Sequence, residues 1–383
     1  MNKTKISAII PAHSINEQGD ELISVLATFP RIILAEVNTH RMLSKNTSSS
    51  RAIPFKKMVE SVKNDPFIPI AWQKEHKGMQ GSEYITEEVF VKECIANWLE
   101  ARNNAINQAE YLNKTCQVTK QLCNRLLEPF MWTTMLITGS KEGWDNFFTL
   151  RCPDYQMMSS YGVQHYKSKK DFLKFVGLPD TVENYQNWND VDWLKVNKGQ
   201  TEIHMMAFAE AVWDSVNEST PKQLIANQWH VPFRDKMDET LIEKIYHPKS
   251  EGIDELLAAI KKREESVIKI SVAMAARTSY TVVGEEKAID YEAMIGLHDR
   301  LLAQDPPHSS PLEHCARAMT MDEYRGNIKG KINLINDREF QTKFSAMTGY
   351  TPLSGACEEK ALGWCNNFKG FIPYRYMVDN GQL

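Results

Sequence analysis

The sequence predicts an α/β protein, a twisted sheet covered by helices, and three observations predict it. Two short apolar runs, residues 5 to 12 and 31 to 38, are bounded by proline and polar clusters and are of strand length. From Glu87 to Leu127 there is no Pro or Gly, and Val91, Ile95, Trp98, Ala105, Ala109 and Leu112 recur at helical spacing, with Arg102 interrupting the stripe. Two more helical stretches, "TEIHMMAFAEAVWDSV" and "GIDELLAAIKKREESV", stand between breakers.

Taken in order, the first run forms a strand, and the second a strand that ends in the hydroxyl-rich "THRMLSKNTSSSR", Thr39 to Arg51. The segment 87 to 127 forms one or two long helices ended near Pro129. Residues 153 to 199, rich in Tyr, Trp, Lys and Asn with little period, read as an insertion of loops and short helices. The helix before Ser219, Thr220 and Pro221 follows, and then the one after Pro248 and Gly252. No internal repeat or low-complexity tail is present.

The composition narrows the function. A chain of 383 residues with 42% hydrophobic and 25% charged residues can bury a real core, and a net charge of -4 gives no general attraction to nucleic acid or acidic lipid. "MNKTKISAIIPAHS" is charged and only briefly apolar, neither a signal peptide nor a spanning helix, so the expected location is the cytoplasm. Cys94, Cys116, Cys123, Cys152, Cys315, Cys357 and Cys365 form no C-x-x-C pair and read as reduced thiols. No metal is expected: His308, Glu313 and His314 do not match H-E-x-x-H spacing. The chain also lacks G-x-G-x-x-G and a Walker A loop, which argues against the common dinucleotide and P-loop sites.

Three stretches carry candidate chemistry. Arg41, Ser44, Asn46, Ser49 and Arg51 bring guanidinium forks and hydroxyls into what reads as one loop, an inventory suited to an anion such as a nucleotide phosphate and equally to a solvated polar turn. "NRLLEPFMWTTMLITGSKEGWDNFFTLRC" places Arg125 and Arg151 around an aromatic-rich segment. "AARTSY" and "PHSSPLEHCAR" bring in Ser279, His308, Ser310, Glu313 and His314. Cys152, with no assignable His or Asp partner, reads as a structural thiol.

Together these stretches resemble the flavin-dependent thymidylate synthases, whose signature is R-H-R-x(7)-S. Here it reads Thr39-His40-Arg41, Ser44, Asn46, Ser49, Arg51. The family's "R-x-x-L-P … L-R … Q-x-E-I" region is similar to Arg125 to Pro129, Leu150-Arg151 and Gln200 to Ile203, and its "A-R-x-S-[FY] … H-x-[ST]-P-[FL]-E-H" region to Ala276 to Tyr280 and His308 to His314. The last of these comes early in the family and late here, as in a circular permutation. The chain also resembles the longer phage and bacterial members, with "THR…SSSRAIP" and a C-terminal stretch like Asn367 to Arg375.

The resemblance implies a homotetramer with active sites at subunit contacts, binding FAD and dUMP and using methylenetetrahydrofolate and NADPH as co-substrates, with no cysteine attacking the base. By position it implies that Ser49, Arg51, Arg125 and Arg151 hold the nucleotide, with Glu36 and Thr47 near the pyrimidine. It sets His40, Arg41, Ser44, Asn46, Ser279, His308, Ser310 and Glu313 toward the flavin, and makes Arg151, Arg41 and His40 the catalytic set. It divides the chain into 1–152 with the signature, an insertion 153–199, a helical continuation 200–263, and 264–383 with the flavin-side motifs. Against the family pattern Thr39 replaces Arg, Thr47 replaces Glu and Glu36 replaces Gln; Glu36 either faces the base or pairs with Arg41 or Lys45. Three functions stay open: synthesis of dTMP from dUMP, a related modification of dCMP or release of a hydroxymethyl product, and a non-catalytic flavin or nucleotide-binding subunit. Retention of Arg51, Arg125 and Arg151 favours an enzyme, since a scaffold has no need to bury three cations.

Overall fold

A computed structural model describes residues 4–77, 81, 83–178, 181, 190–245, 252–281, 283, 290–305, 307, 309–326 and 362–382. His308, Trp188 and Cys357 lie outside the described residues. The architecture is mixed α/β, as the sequence predicts, and its centre is a five-stranded sheet.

Strand β1 (Ser7–Ile15) pairs antiparallel with β2 (Glu21–Pro30). A 3-10 turn, Arg31–Ile33, and helix α1 (Leu34–Asn38) then lead to β3 (Ser44–Thr47). Residues 31 to 38 are therefore helical, which corrects the expected strand. Pro30 ends β2, and in the run that follows it is Ile33 and Val37, four apart, that are buried, the helical and not the alternating spacing. The strand the sequence reading passed over is β2. Ile23, Val25, Ala27 and Phe29 bury one face and Leu22 and Ser24 bury part of the other, so the strand is covered on both sides, and Leu26 among them blurs the alternation in the sequence.

Helices α2 (Phe55–Asn64), α3 (Glu88–Lys114) and the short α4 (Lys120–Cys123) follow, and then β4 (Trp132–Ser140), paired with β2 from Leu22↔Ser140 to Pro30↔Trp132. The long helix expected over 87 to 127 is α3; it stops at Lys114, and Pro129 lies in a separate 3-10 turn, Asn124–Phe130. Helix α5 (Lys141–Arg151) leaves directly from the end of β4. Residues 153 to 199 contain a hairpin, β5 (Tyr155–Ser159) with β6 (Gly162–Tyr166), as well as helices α6 (Lys169–Phe175) and α7 (Asp190–Val196). Tyr155, Phe172, Leu173 and Trp193 give the segment a small core of its own, so it is more ordered than the loops expected.

Helix α8 (Ile203–Glu218) is the expected "TEIHMMAFAEAVWDSV" helix, capped by the Glu202 carboxylate, which accepts from the backbone N–H groups of His204 and Met205. After β7 (Lys222–Gln223) and β8 (Trp229–His230), helix α9 (Ile253–Arg277) runs ten residues beyond the sequence expectation of 252 to 267 and crosses residues 263 and 264 unbroken. Strands β9 (Ala316–Ala318) and β10 (Phe371–Pro373) complete a second, three-stranded sheet with β8.

The order of the main sheet is β3-β4-β2-β1-β7, antiparallel except for β1 with β7. Alternation along β2 and β4 sorts its two faces. Ile23, Val25, Ala27, Phe29, Met135 and Ile137 pack on α5 and α8 through Trp144, Phe147, Phe208 and Val212. On the opposite face Leu136 meets Phe233 and Ala275 of α9, and Leu22 meets Ala316 and Phe371. Edge strand β3 thus has α5 near one end and the C-terminal turn of α9 beside it. Among the described residues no helix is long and apolar enough to cross a membrane.

Candidate functional site

The turn from Thr39 to Leu43 is seated on the start of α5 by two glycines. A Cβ at Gly143 would stand 3.3 Å from Leu43 Cδ2 and 3.4 Å from Met42 Cβ, and one at Gly139 would collide with Leu43. From that anchor His40 reaches along the helix, its ring edge-on to Phe147 with centroids 4.9 Å apart, to Arg151, the last residue of α5. Arg151 donates from Nε to His40 Nε2 at 2.9 Å, from Nη1 to Thr201 Oγ1 at 3.1 Å and from Nη2 to Thr39 Oγ1 at 3.5 Å.

An Nε2 that accepts leaves the His40 proton on Nδ1 and the ring neutral. Burial, then the charges of Arg151 and Lys45, push the His40 pKa down to about 4, which agrees. All three partners of Arg151 are therefore uncharged. Among the described residues no carboxylate pairs with it, so the guanidinium is oriented as a fork while its charge stays uncompensated.

Arg151 opens onto a cleft of about 890 Å³ lined also by Glu36, Thr201, Lys167, Lys198 and His165. The insertion supplies Asp154, His165, Tyr166 and Lys167 to its wall. Glu36 Oε2 is shielded from solvent with no hydrogen-bond partner among the described residues. Its expected pairing with Lys45 is not made: the Lys45 ammonium donates to the His40 carbonyl and feels Glu313. Half-burial pushes the Lys45 pKa down to about 8, with Glu313 opposing. Cys152, next to Arg151, is pushed far above the ordinary thiol range by burial, and such a group is no nucleophile.

A second group gathers around β3. Asn46 Nδ2 donates to Ala275 O at 2.5 Å and Thr278 Oγ1 at 2.8 Å, while Asn46 Oδ1 accepts from Ser310 Oγ at 3.2 Å and Ser279 Oγ at 3.4 Å. Ser310 also donates to Lys45 O at 2.9 Å, and Ser49 N to Ser279 O at 3.0 Å. Segments 230 residues apart in sequence are thus stitched together, and the late stretches with "ARTSY" and "SSPLEH" meet the signature strand. The side chains do the stitching, so Asn46, Ser279 and Ser310 spend much of their hydrogen-bonding capacity on protein.

The signature is not one loop, which corrects the sequence reading: Ser44 to Thr47 are strand, with Ser44 opposite Thr138 and Thr47 opposite Met135. Thr39, His40 and Arg41 precede the strand, whereas Ser49 and Arg51 follow it, at its opposite end. There Ser50 Oγ and Arg31 Nη2 both donate to Glu128 Oε1, at 2.6 and 3.3 Å, and Asn124 Nδ2 donates to Ser50 O at 2.6 Å. Arg51 and Arg125 flank that knot and are exposed, as is Arg41. The expected burial of all three nucleotide-side arginines is therefore corrected: Arg151 is half-buried, and the other two stand in solvent at a distance from it. Thr47 Oγ1 lies 3.3 Å from Thr133 Oγ1. Sequence reasoning gave no role to Thr201 or Lys198 and weighed Lys45 only as a partner for Glu36. Only Thr201 had a signal, since it lies in the "QTEI" stretch beside the matched Arg151 region.

No protein-family model matches the chain, and no curated protein matches it. Among solved structures it is similar to a UMP/dUMP methylase, PolB from Streptomyces cacaoi, bound with 5-Br UMP, at 13% identity over 42% of this chain and 82% of that chain, with a TM-score of 0.33. It is also similar to thymidylate synthase X from Helicobacter pylori with FAD and dUMP, at 12% identity over 51% of this chain and 67% of that chain, with a TM-score of 0.26. The likeness is partial and low in each case.

Proposed function

We propose that this protein is a flavin-dependent thymidylate synthase that methylates C5 of dUMP to dTMP, with methylenetetrahydrofolate and NADPH as co-substrates. The observation that carries the reading is Arg151: a cation oriented by three neutral partners at the mouth of an 890 Å³ cleft, placed where the family resemblance puts a nucleotide-binding arginine. An anion is what such a cation lacks, and a phosphate accepts from a guanidinium fork in two bonds. The meeting of the three resembling stretches around β3 supports the same reading, because residues 46, 279 and 310 have no local reason to be neighbours.

The chain's own groups divide the work. Arg151 binds and orients the nucleotide phosphate, and His40 and Thr201 fix the fork. His40, neutral at working pH, neither repels nor competes with Arg151. Glu36 offers an accepting oxygen to a base N–H inside the cleft. The donor set fits FAD at one end: the exposed Arg41 suits its diphosphate, while Ser44, Asn46, Ser279 and Ser310 build the backbone frame beside it. FAD, when bound, supplies the hydride chemistry that this chain's side chains lack. Arg51 and Arg125 are exposed and do not line this cleft, which suits sites completed between subunits.

The test is incubation of the pure protein with FAD, NADPH, methylenetetrahydrofolate and either dUMP or dCMP, followed by product mass. Conversion of dUMP to dTMP is expected. A preparation that takes up no flavin and converts neither nucleotide overturns the reading.

A further inference from the structure

A chain of buried groups crosses the main sheet away from Arg151. Ser14 Oγ lies 2.9 Å from His230 Nδ1; His230 Nε2 lies 2.9 Å from Ser24 Oγ; Ser24 Oγ lies 2.7 Å from Thr138 Oγ1; and Thr138 Oγ1 lies 2.9 Å from His314 Nδ1. The five residues are 4% exposed or less, and they come from β1, β8, β2, β4 and the turn after Glu313. Every link is of ordinary hydrogen-bond length.

Each of the five groups both donates and accepts, so the chain has two complete orderings. In one, His314 Nδ1–H donates to Thr138, Thr138 to Ser24, Ser24 to His230 Nε2, and His230 Nδ1–H to Ser14. In the other every donor becomes an acceptor, and His314 carries its proton on Nε2. No intermediate link is lost in either ordering, and neither histidine needs a charge. Burial pushes both His230 and His314 down to about 3, which keeps them neutral.

The ends of the chain differ. Ser14 and His13 line a second cleft, of about 730 Å³, together with Lys222, Trp229 and Arg234. At the other end His314 Nε2 is buried with no partner among the described residues, beside the turn Ser310–Glu313 that docks on β3. A buried ring nitrogen without a partner costs stability unless a water or a ligand atom meets it.

We propose that Ser14, His230, Ser24, Thr138 and His314 form a proton relay between the Ser14 cleft and the β3 side of the sheet. A proton arriving at His314 Nε2 from a water or ligand heteroatom sends the Nδ1 proton to Thr138. Thr138 passes its own to Ser24, Ser24 to His230 Nε2, and His230 sends its Nδ1 proton to Ser14, whose hydroxyl proton leaves to water in the cleft. One proton enters and one leaves. If the proposed methylation holds, conversion of dUMP, methylenetetrahydrofolate and NADPH to dTMP, tetrahydrofolate and NADP+ takes up one proton overall, and the same transfers, run in reverse from the Ser14 cleft to His314 Nε2, deliver it.

The experiment is nitrogen NMR of the full chain labelled with ¹⁵N-histidine, between pH 6.5 and 8, on wild type, Thr138→Val and Ser24→Ala. Both rings are expected to show shifts averaged between the two tautomers in the wild type, and to lose that averaging together when either hydroxyl is removed. Should each ring sit in one fixed tautomer in the wild type, or should the two respond independently, the chain is structural and the relay is overturned. The two variants break the same chain at different links, so misfolding of one leaves the other to decide. Tautomer averaging needs no turnover, so a relay that passes in a protein that converts no nucleotide overturns the function and not the relay.

Discussion

At the scale of single residues, the decisive contrast is between Arg151 and its neighbour Cys152. Arg151 has three neutral hydrogen-bond partners and, among the described residues, no counter-charge, whereas the Cys152 thiol is held protonated by burial. Arg151→Ala is expected to weaken dUMP binding by about 1.5 to 3 kcal/mol, roughly ten- to hundredfold. Arg151→Lys recovers only part of this, because a point charge replaces a fork already aligned by His40, Thr201 and Thr39. Cys152→Ser leaves binding and turnover close to wild type. Isothermal titration with dUMP separates the three, and a silent Arg151→Ala with an inactive Cys152→Ser refutes the assignment. Arg151 was legible in the sequence because a motif resemblance marked it. Lys45 and the two orphaned atoms, Glu36 Oε2 and His314 Nε2, were not, because a missing partner is a property of three-dimensional surroundings.

At the scale of elements, the strongly periodic helices were the readable part. Helices α3, α8 and the first part of α9 stand where helical apolar spacing put them, whereas the short run that forms α1 was read as a strand and β2 was passed over. The insertion was unreadable as a unit, because its order depends on what it docks against. Glu210 of α8, nearly buried, accepts from Lys169 N at 2.7 Å, Tyr155 Oη at 3.1 Å and Lys169 Nζ at 3.3 Å, while Asp171 accepts from Trp213 Nε1 at 2.7 Å. Glu210→Ala leaves Tyr155 and Lys169 without their acceptor, and is expected to loosen the insertion at a cost of about 3 kcal/mol. Faster proteolysis between residues 153 and 199, with the rest of the chain intact, is the expected sign. The same dock responds to pH through Asp214, which burial, reinforced by the neighbouring carboxylates Glu210 and Asp171, raises to about 6, while a hydrogen bond with Ser168 and the charge of Lys170 oppose. A carboxyl whose folded pKa is raised is fully penalised above that pKa, and the penalty fades as pH falls toward its unfolded value. Proteolysis of the insertion should therefore slow between pH 7 and about 5, and Asp214→Asn should slow it already at pH 7.

At the scale of the whole molecule, histidines set the response to acid. His40, His230 and His314 are held neutral, with pKa values pushed down to about 4, 3 and 3. An unfolded chain takes up those protons near pH 6.5, so their contribution to stability is complete above that value and is lost as pH falls toward 4 and 3. Three such groups outweigh the single gain from Asp214, and Tm is expected to fall steadily from pH 6.5 to 4. Assembly gives the last expectation. Arg151 lies near the turn before β3 and Arg51 beyond the strand's other end, and Arg51 does not line the Arg151 cleft. If the proposed sites form at subunit contacts, Arg51 and Arg125 of one copy complete the Arg151 cleft of another, and symmetry repeats this at every contact. Arg151→Ala and Arg51→Ala homomers should then each be nearly inactive. Co-expressed in equal amounts, they should regain activity at about a quarter of sites, those that draw the intact Arg151 from one copy and the intact Arg51 from the other. Mixed oligomers with no more activity than the parents, purified by two different tags, would place the whole nucleotide site within one chain and leave Arg51 and Arg125 as surface cations.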